Sequence, residues 1–236
     1  PPPPPLFFFQ PQAVIRDPLW SRGLGDVYKR QVYDRATQNQ IDKGLSFYED
    51  AREDAYIIGK QLGYKGSNAV MCGAGILSVL SPRTDYELNR QMAYDLANGL
   101  YIQQTEANKA KAIRIMQGEN PMLVMGRDSH KTKPFFKAIL NPLGNNEVYG
   151  LTGYGNKPTH LAVIDRHAGG VYKGLPLSEK QREQIGNWRV NKRISNSYFR
   201  ACKVLNLPVN ILQGITWYVF RDLYKNKRLY TIKKGN

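Results

Sequence analysis

The chain has 236 residues, with 34 Lys or Arg against 19 Asp or Glu and a formal charge of +15. A content of 42% hydrophobic and 22% charged residues excludes a wholly disordered chain, and the length suits one domain or two small ones. Two cysteines, Cys72 and Cys202, exclude a disulfide scaffold and a multi-cysteine metal site. The two cysteines also fit a reducing compartment, so a cytoplasmic location is expected, and no apolar run reaches the roughly 18 residues of a membrane span, so no membrane partner is expected.

Residues 1–31 open with five prolines and then Leu6 and Phe7 to Phe9, without helical or strand periodicity. The stretch Ile15–Gln31 resembles translated sequencing-adapter read-through at the ends of metagenomic gene models. Residues 1–31 are therefore expected to be an artefact or a disordered tail, and the domain is expected to span 32–236. Without Arg16, Arg22, Lys29, Arg30, Asp17 and Asp26 the remainder keeps 30 basic and 17 acidic side chains, net +13.

From Ile41 onward the periodicity is helical. Leu45, Tyr48, Ala51, Ala55, Ile58 and Leu62 share a face, with Gly63 as the stop. Ser67 or Asn68 is expected to cap a second helix that ends at Pro82, where Gly73 and Gly75 point to close helix packing. Thr84 and Glu87 have capping-box spacing ahead of a stripe of Leu88, Met92 and Leu96. Thr105 opens a helix carrying Ala110, Ile113 and Met116, and Asn120-Pro121 starts a short turn of helix. His130–Leu140 is basic and amphipathic. Residues 143–160 are rich in Gly and Asn and lead into the apolar run LAVID. A second capping box, Ser178 and Gln181, predicts a helix to about Ile194. Helices at 197–206 and 208–224 follow. The predicted class is all-α, with eight to ten short helices.

The three histidines lack metal-ligand spacing, so neither a metal nor a cofactor is expected. Glu49, Asp50, Glu53 and Asp54 read as a solvated face answered by Arg52 and Lys60. G-Y-G-N-K, with Gly153, Gly155 and Lys157, is too short for a P-loop. It reads as a plain loop or as a glycine turn whose N–H groups approach a DNA phosphate. In LAVIDRHA, Asp165 can cap a helix. A partly desolvated carboxylate beside Arg166 and His167 also suits general-base or oxocarbenium-stabilising chemistry. Basic residues recur at Lys131, Lys133 and Lys137, at Lys180 and Arg182, and at Arg189, Lys192 and Arg193, interleaved with Phe135, Trp188, Tyr198 and Trp217. Such a field predicts salt-dependent association with nucleic acid.

Three segments in order resemble the endonuclease III-like, helix-hairpin-helix-GPD DNA glycosylases. GILSVLSPRTDYELNRQMAYDL (75–96) is similar to their early helix–turn–helix, with Leu80, Ser81, Thr84, Asp85 and Asn89 matching. HKTKPFFKAIL (130–140) resembles the Lys-bearing helix before the hairpin. AVIDRHAGGVY (162–172) resembles the V-D-x-H signature, which implies Asp165 as the catalytic carboxylate and His167 as its companion. LTGYGNKP keeps glycines and a lysine, but Lys157 lies only eight residues before Asp165. The hairpin is thus degenerate, or the glycine loop replaces it. The 32–236 body also resembles a family of phage-encoded proteins, through FYEDA, LSP, GENPM, IDRHA and QGITWYVFR, which brings no activity with it.

The resemblance implies a compact two-lobed domain acting as a monofunctional DNA-repair hydrolase, with host-cell cytoplasm as the site if phage-encoded. Asp165 would be catalytic, supported by Arg166, His167, Ser81 and Arg83. Lys131, Lys133, Lys137, Gly153, Gly155 and Lys157 would contact DNA. The alternative is a non-catalytic phage DNA-binding protein that retains the fold. A structural or host-interaction protein with incidental charge is a third reading.

Overall fold

The structure, a computed structural model, describes residues 24–126, 129–142 and 162–232. Among these residues it is all-α, with eleven helices and no strand. They are α1 (Leu24–Tyr33), α2 (Gln38–Gln61), α3 (Gly66–Leu80), α4 (Tyr86–Ala97), α5 (Glu106–Met116) and α6 (Pro121–Val124), then α7 (Thr132–Leu140), α8 (Arg166–Lys173), α9 (Glu179–Gln184), α10 (Trp188–Leu205) and α11 (Val209–Ile232). No helix among the described residues is long and apolar enough to cross a membrane.

Local chemistry sets most boundaries. Thr105 accepts from Asn108 N and Asn120 from Met122 N, with Pro121 opening α6, as expected from their capping chemistry. The Ser178–Gln181 capping box is formed. Thr37 and Gln40 make a further box at the start of α2. Two expected caps differ. α4 starts on Asp85, whose carboxylate accepts from Leu88 N, while the Thr84 hydroxyl turns back to the Leu80 and Ser81 carbonyls. α3 starts at Gly66, with Lys65 as an N-cap that makes no side-chain bond. The expected helix to about Ile194 is two helices, because Gly186 follows the end of α9 and Asn187 caps α10 through Arg189 N.

The buried apolar residues form two clusters. One joins α2 to α7 through Tyr48, Ile58, Leu77, Leu80, Ile115 and Phe136. The other joins α1, α8, α10 and α11 through Val171, Tyr198, Leu212 and Phe220. Within the first, α2 and α3 approach so closely that a Cβ at Gly73 would lie 1.9 Å from Ala55 O, and one at Gly59 2.0 Å from Ala69 O. Gly75 faces Pro121 and Ile115. The packing role expected of Gly73 and Gly75 is thus the one they have. α2 meets α11 where Gly44 lies against Gly214 and Ile215.

Residues 162–164 form an extended strap between the two clusters. Val163 belongs to the first, Ala162 and Ile164 to the second, the alternation that a period of two imposes on extended chain. Gln213 on α11 donates from Nε2 to Val163 O at 2.9 Å and accepts at Oε1 from Val163 N at 3.1 Å. Tyr48 OH, from α2, donates to the same Oε1 at 3.0 Å. One turn earlier on α11, Asn210 Nδ2 donates to Pro142 O.

The folded chain begins earlier than expected. α1 overlaps the excluded residues 24–31 and packs on α8, α10 and α11. Lys29 is fully buried there, donating to Ser197 Oγ at 2.5 Å and to Gly25 O at 3.1 Å. Its Nζ stands 4.3 Å from the Tyr198 ring centroid and 4.9 Å from that of Tyr172. Arg200 pairs with Asp26 at 2.6 Å. These interactions make residues 25–31 part of the packed body, ahead of the expected start at 32.

Candidate active site

Asp165 follows the strap directly and is the N-cap of α8. Its Oδ1 accepts from His167 N at 2.9 Å and from Ala168 N at 2.8 Å, which satisfies two of the N–H groups a helix leaves orphaned. Its Oδ2 accepts no hydrogen bond from the described residues. The side chain is half-buried.

Two other segments arrive at this point. Lys131, the N-cap of α7, extends its Nζ to the Ser81 carbonyl at 3.0 Å. Burial lowers the pKa of Lys131, nearby Asp165 opposes that fall, and Arg166 adds to it. The turn at Ser81 is therefore tied to the head of α7, and the ammonium of α7 lies within electrostatic reach of Asp165. The turn is also held by Gln104, whose Nε2 donates to Leu80 O at 2.9 Å.

His167 is half-buried. Arg166 Nε donates to its Nε2 at 3.2 Å, so that nitrogen is an acceptor. Burial lowers the histidine pKa. Asp165 resists, while Arg166, Arg221 and Arg182 push the same way as burial. The imidazole stands edge-on to Trp217, with centroids 5.6 Å apart at 79°. Trp217 lies 6.1 Å from Phe47, which in turn lies 5.0 Å from Tyr86. Aromatic contacts therefore run from His167 across α11 to α2 and α4.

Among the expected site residues, Asp165, Arg166, His167 and Lys131 share this junction, and Ser81 reaches it through its carbonyl. The Ser81 hydroxyl is buried and donates to Ser78 O at 2.9 Å. It is turned into the fold and not toward Asp165. Arg83 is exposed, with φ +67°, a left-handed conformation uncommon outside glycine. Lys133 and Lys137 lie one turn apart on α7. Burial and then the Lys133 charge lower the pKa of Lys137. They do not form one face with Lys131, whose amine is turned inward to Ser81. Gly153, Gly155 and Lys157 lie outside the described residues.

The acidic group on α2 divides. Glu49, Asp50 and Glu53 are exposed as expected, but Asp54 is buried. It accepts from Tyr86 OH at 2.8 Å and Tyr94 OH at 3.1 Å, with Arg90 at 3.7 Å. Arg52 does not answer these acids but donates to Leu140 O at 2.5 Å, at the end of α7. Glu49, Arg52, Glu53 and Tyr56 line an open groove of about 470 Å³ with Val70 and Pro142. Among the described residues no group of His, Cys, Asp and Glu is arranged to hold a metal ion.

Sequence reasoning missed Gln213 and Arg221. Both lie in the QGITWYVFR segment, where periodicity marks the apolar stripe and leaves polar side chains unassigned. Residues 27–224 match the model of a family described as Family of unknown function (DUF7178). No curated protein and no solved structure matches the chain.

Proposed function

The chain belongs to the DUF7178 family, whose model covers residues 27–224, and we propose that it is a DNA-acting, glycosylase-like protein with Asp165 as its reactive carboxylate. One observation carries this reading. Three segments far apart in sequence, at Ser81, Lys131 and Asp165, meet where the strap leaves the two cores, and among the described residues no donor reaches Asp165 Oδ2. The order of these segments is that of the glycosylase resemblance.

In this reaction the C1′–N bond breaks with its electrons leaving on the base, the oxygen of water bonds to C1′, and the proton that the water loses ends on the departed base, so positive charge develops on the sugar in the transition state. Asp165 stabilises that charge and orients the water through the oxygen not used in the cap. The base reaches the site only when it leaves the stack. His167 and Lys131 hold the surroundings of the carboxylate in place. The net charge of +15 favours approach to a polyanion.

Base release from duplexes carrying uracil, oxidised, alkylated or mismatched bases tests the proposal. Release by the wild type that falls by two orders of magnitude or more in Asp165→Asn is the expected result. Release at the wild-type rate in Asp165→Asn removes Asp165 from the mechanism. The second reading is a DNA-binding protein without catalysis. The double hydrogen bond that makes Asp165 a helix cap favours it, since capping alone accounts for an aspartate. It predicts salt-dependent binding with no base release from any duplex.

A further inference from the structure

Arg166, His167, Trp217, Arg221 and Tyr218 make one continuous series of contacts across α8 and α11. Arg166 Nε meets His167 Nε2 at 3.2 Å, and the imidazole edge meets Trp217 at 5.6 Å. The Arg221 guanidinium lies 4.7 Å from the Trp217 ring centroid and 5.1 Å from that of Tyr218. Arg166 and Arg221 are both exposed. A guanidinium resting on an indole keeps its outer face and its N–H edges available, and these edges match phosphate oxygens. The acid beside Arg221 is Asp222, whose Oδ1 stands 3.5 Å from Nε, while its Oδ2 accepts from Gln40 Nε2 at 2.8 Å. That carboxylate is therefore shared.

We infer that this cation–aromatic ladder seats the phosphodiester backbone of a nucleic acid, with Arg166 and Arg221 each holding a phosphate of the strand presented to Asp165. The inference rests on the nucleic-acid reading above and relocates its anchor. The backbone is held by arginines of α8 and α11, not by the α7 lysines, of which Lys131 is turned inward and Lys137 is half-buried. Half-buried Trp217 and Tyr218 keep the Arg221 side chain ordered before the strand arrives, which lowers the entropy lost on binding.

Fluorescence anisotropy with a labelled 20-nucleotide strand, single and as a duplex, tests this at about 50 and 200 mM salt. Arg166→Gln/Arg221→Gln is expected to bind at least about tenfold more weakly, and the slope of log K against log salt should flatten by about two, near one unit per lost phosphate. Lys60→Gln/Lys65→Gln, which removes the same charge elsewhere, should stay within about twofold of wild type. Arg166→Lys/Arg221→Lys guards against loss of fold. It keeps both charges and should still weaken binding, because the flat stacked group is gone. Wild-type affinity and slope in the Gln pair overturn the inference and leave DNA binding intact. Equal losses in the two charge-matched pairs also overturn it. Failure of the wild type to bind either strand at low salt overturns the nucleic-acid reading and the inference together.

Discussion

Gln213 and Val163 exchange two hydrogen bonds, side-chain amide against backbone amide, at 2.9 and 3.1 Å. The pairing imitates one rung of a sheet inside an all-helical protein. It satisfies both polar groups of a backbone residue that lies between two apolar clusters, where an unpaired N–H or C=O is costly. Tyr48 adds a third bond to the same amide and ties α2 to the strap. The position of Asp165, two residues on, depends on this fixture.

Replacing Gln213 by Leu keeps the approximate volume and removes all three partners. Val163 N, Val163 O and Tyr48 OH are each left buried without a bond, at about 1–3 kcal/mol apiece. Gln213→Leu is expected to lower stability by about 3 kcal/mol or more in urea unfolding. Unaltered stability would show that water or a neighbour replaces the amide.

Asp165 has a structural role that is separable from any chemical one. Asparagine offers the same capping oxygen and alanine offers none, so Asp165→Ala should cost about 1 kcal/mol and Asp165→Asn only a fraction of that. The contrast matters for the base-release assay. A variant that melts like the wild type and has lost base release has lost chemistry and not structure.

Burial lowers the pKa of Lys29 to about 7. Asp26 opposes that effect, Arg200 adds to it, and Cys202 weakly opposes it. The unfolded chain holds this proton up to about pH 10.4. Between pH 7 and 10 the unfolded state therefore binds more protons, and stability should rise with pH by up to about 1.4 kcal/mol per unit from this group. Below pH 7 both states are protonated and the contribution is flat. Burial raises the thiol pKa of Cys72 to about 11 and of Cys202 to about 12, which opposes the rise above about pH 8.5. The Lys29 contribution is therefore read as the unfolding midpoint of the wild type minus that of Lys29→Met, a difference that should grow across that window. Starting the chain at Val32 removes most of α1 and should lower the melting temperature relative to a chain starting at Leu24. Equal melting temperatures would mean that α1 contributes nothing to the fold.

At Gly73 the backbones of α2 and α3 leave no room for a methyl group, because the added carbon would fall 1.9 Å from a carbonyl oxygen. Gly73→Ala gains helix propensity and loses this contact. The net expectation is destabilisation of about 1–3 kcal/mol, the usual cost of overpacking. Thermal melts of Gly73→Ala against the wild type check this, and an unchanged or raised melting temperature would show that α2 and α3 can move apart without loss.

Much of this architecture is legible in the sequence. Thr105, Asn120 and Ser178 announce their helices because capping chemistry is local, and Gly73 and Gly75 announce a close crossing because glycine weakens a helix interior unless packing requires it. The buried stripes are less legible. On α4 the buried residues are Asn89, Met92 and Ala93, while Leu88 is 52% exposed. Asn89 takes the inward place because its Nδ2 donates to Leu77 O on α3 at 2.9 Å. Hydrophobicity alone cannot foresee a polar side chain that pairs with a neighbouring helix. The same holds at the candidate site. Asp165 and its cap were readable from D-R-H after an apolar run, whereas the inward turn of Ser81 and Lys131 arises only from long-range packing. Lys29 escaped because a lysine in an unperiodic stretch gives no sign of burial.

Pro142 and Val163 are held by Asn210 and Gln213, two side chains three residues apart on one helix. A single turn of α11 thus clamps two segments at once, the chain just after α7 and the strap that leads to Asp165. The candidate carboxylate takes its place from a helix on which it does not itself lie, so a change on that turn of α11 is expected to act at Asp165 without touching it.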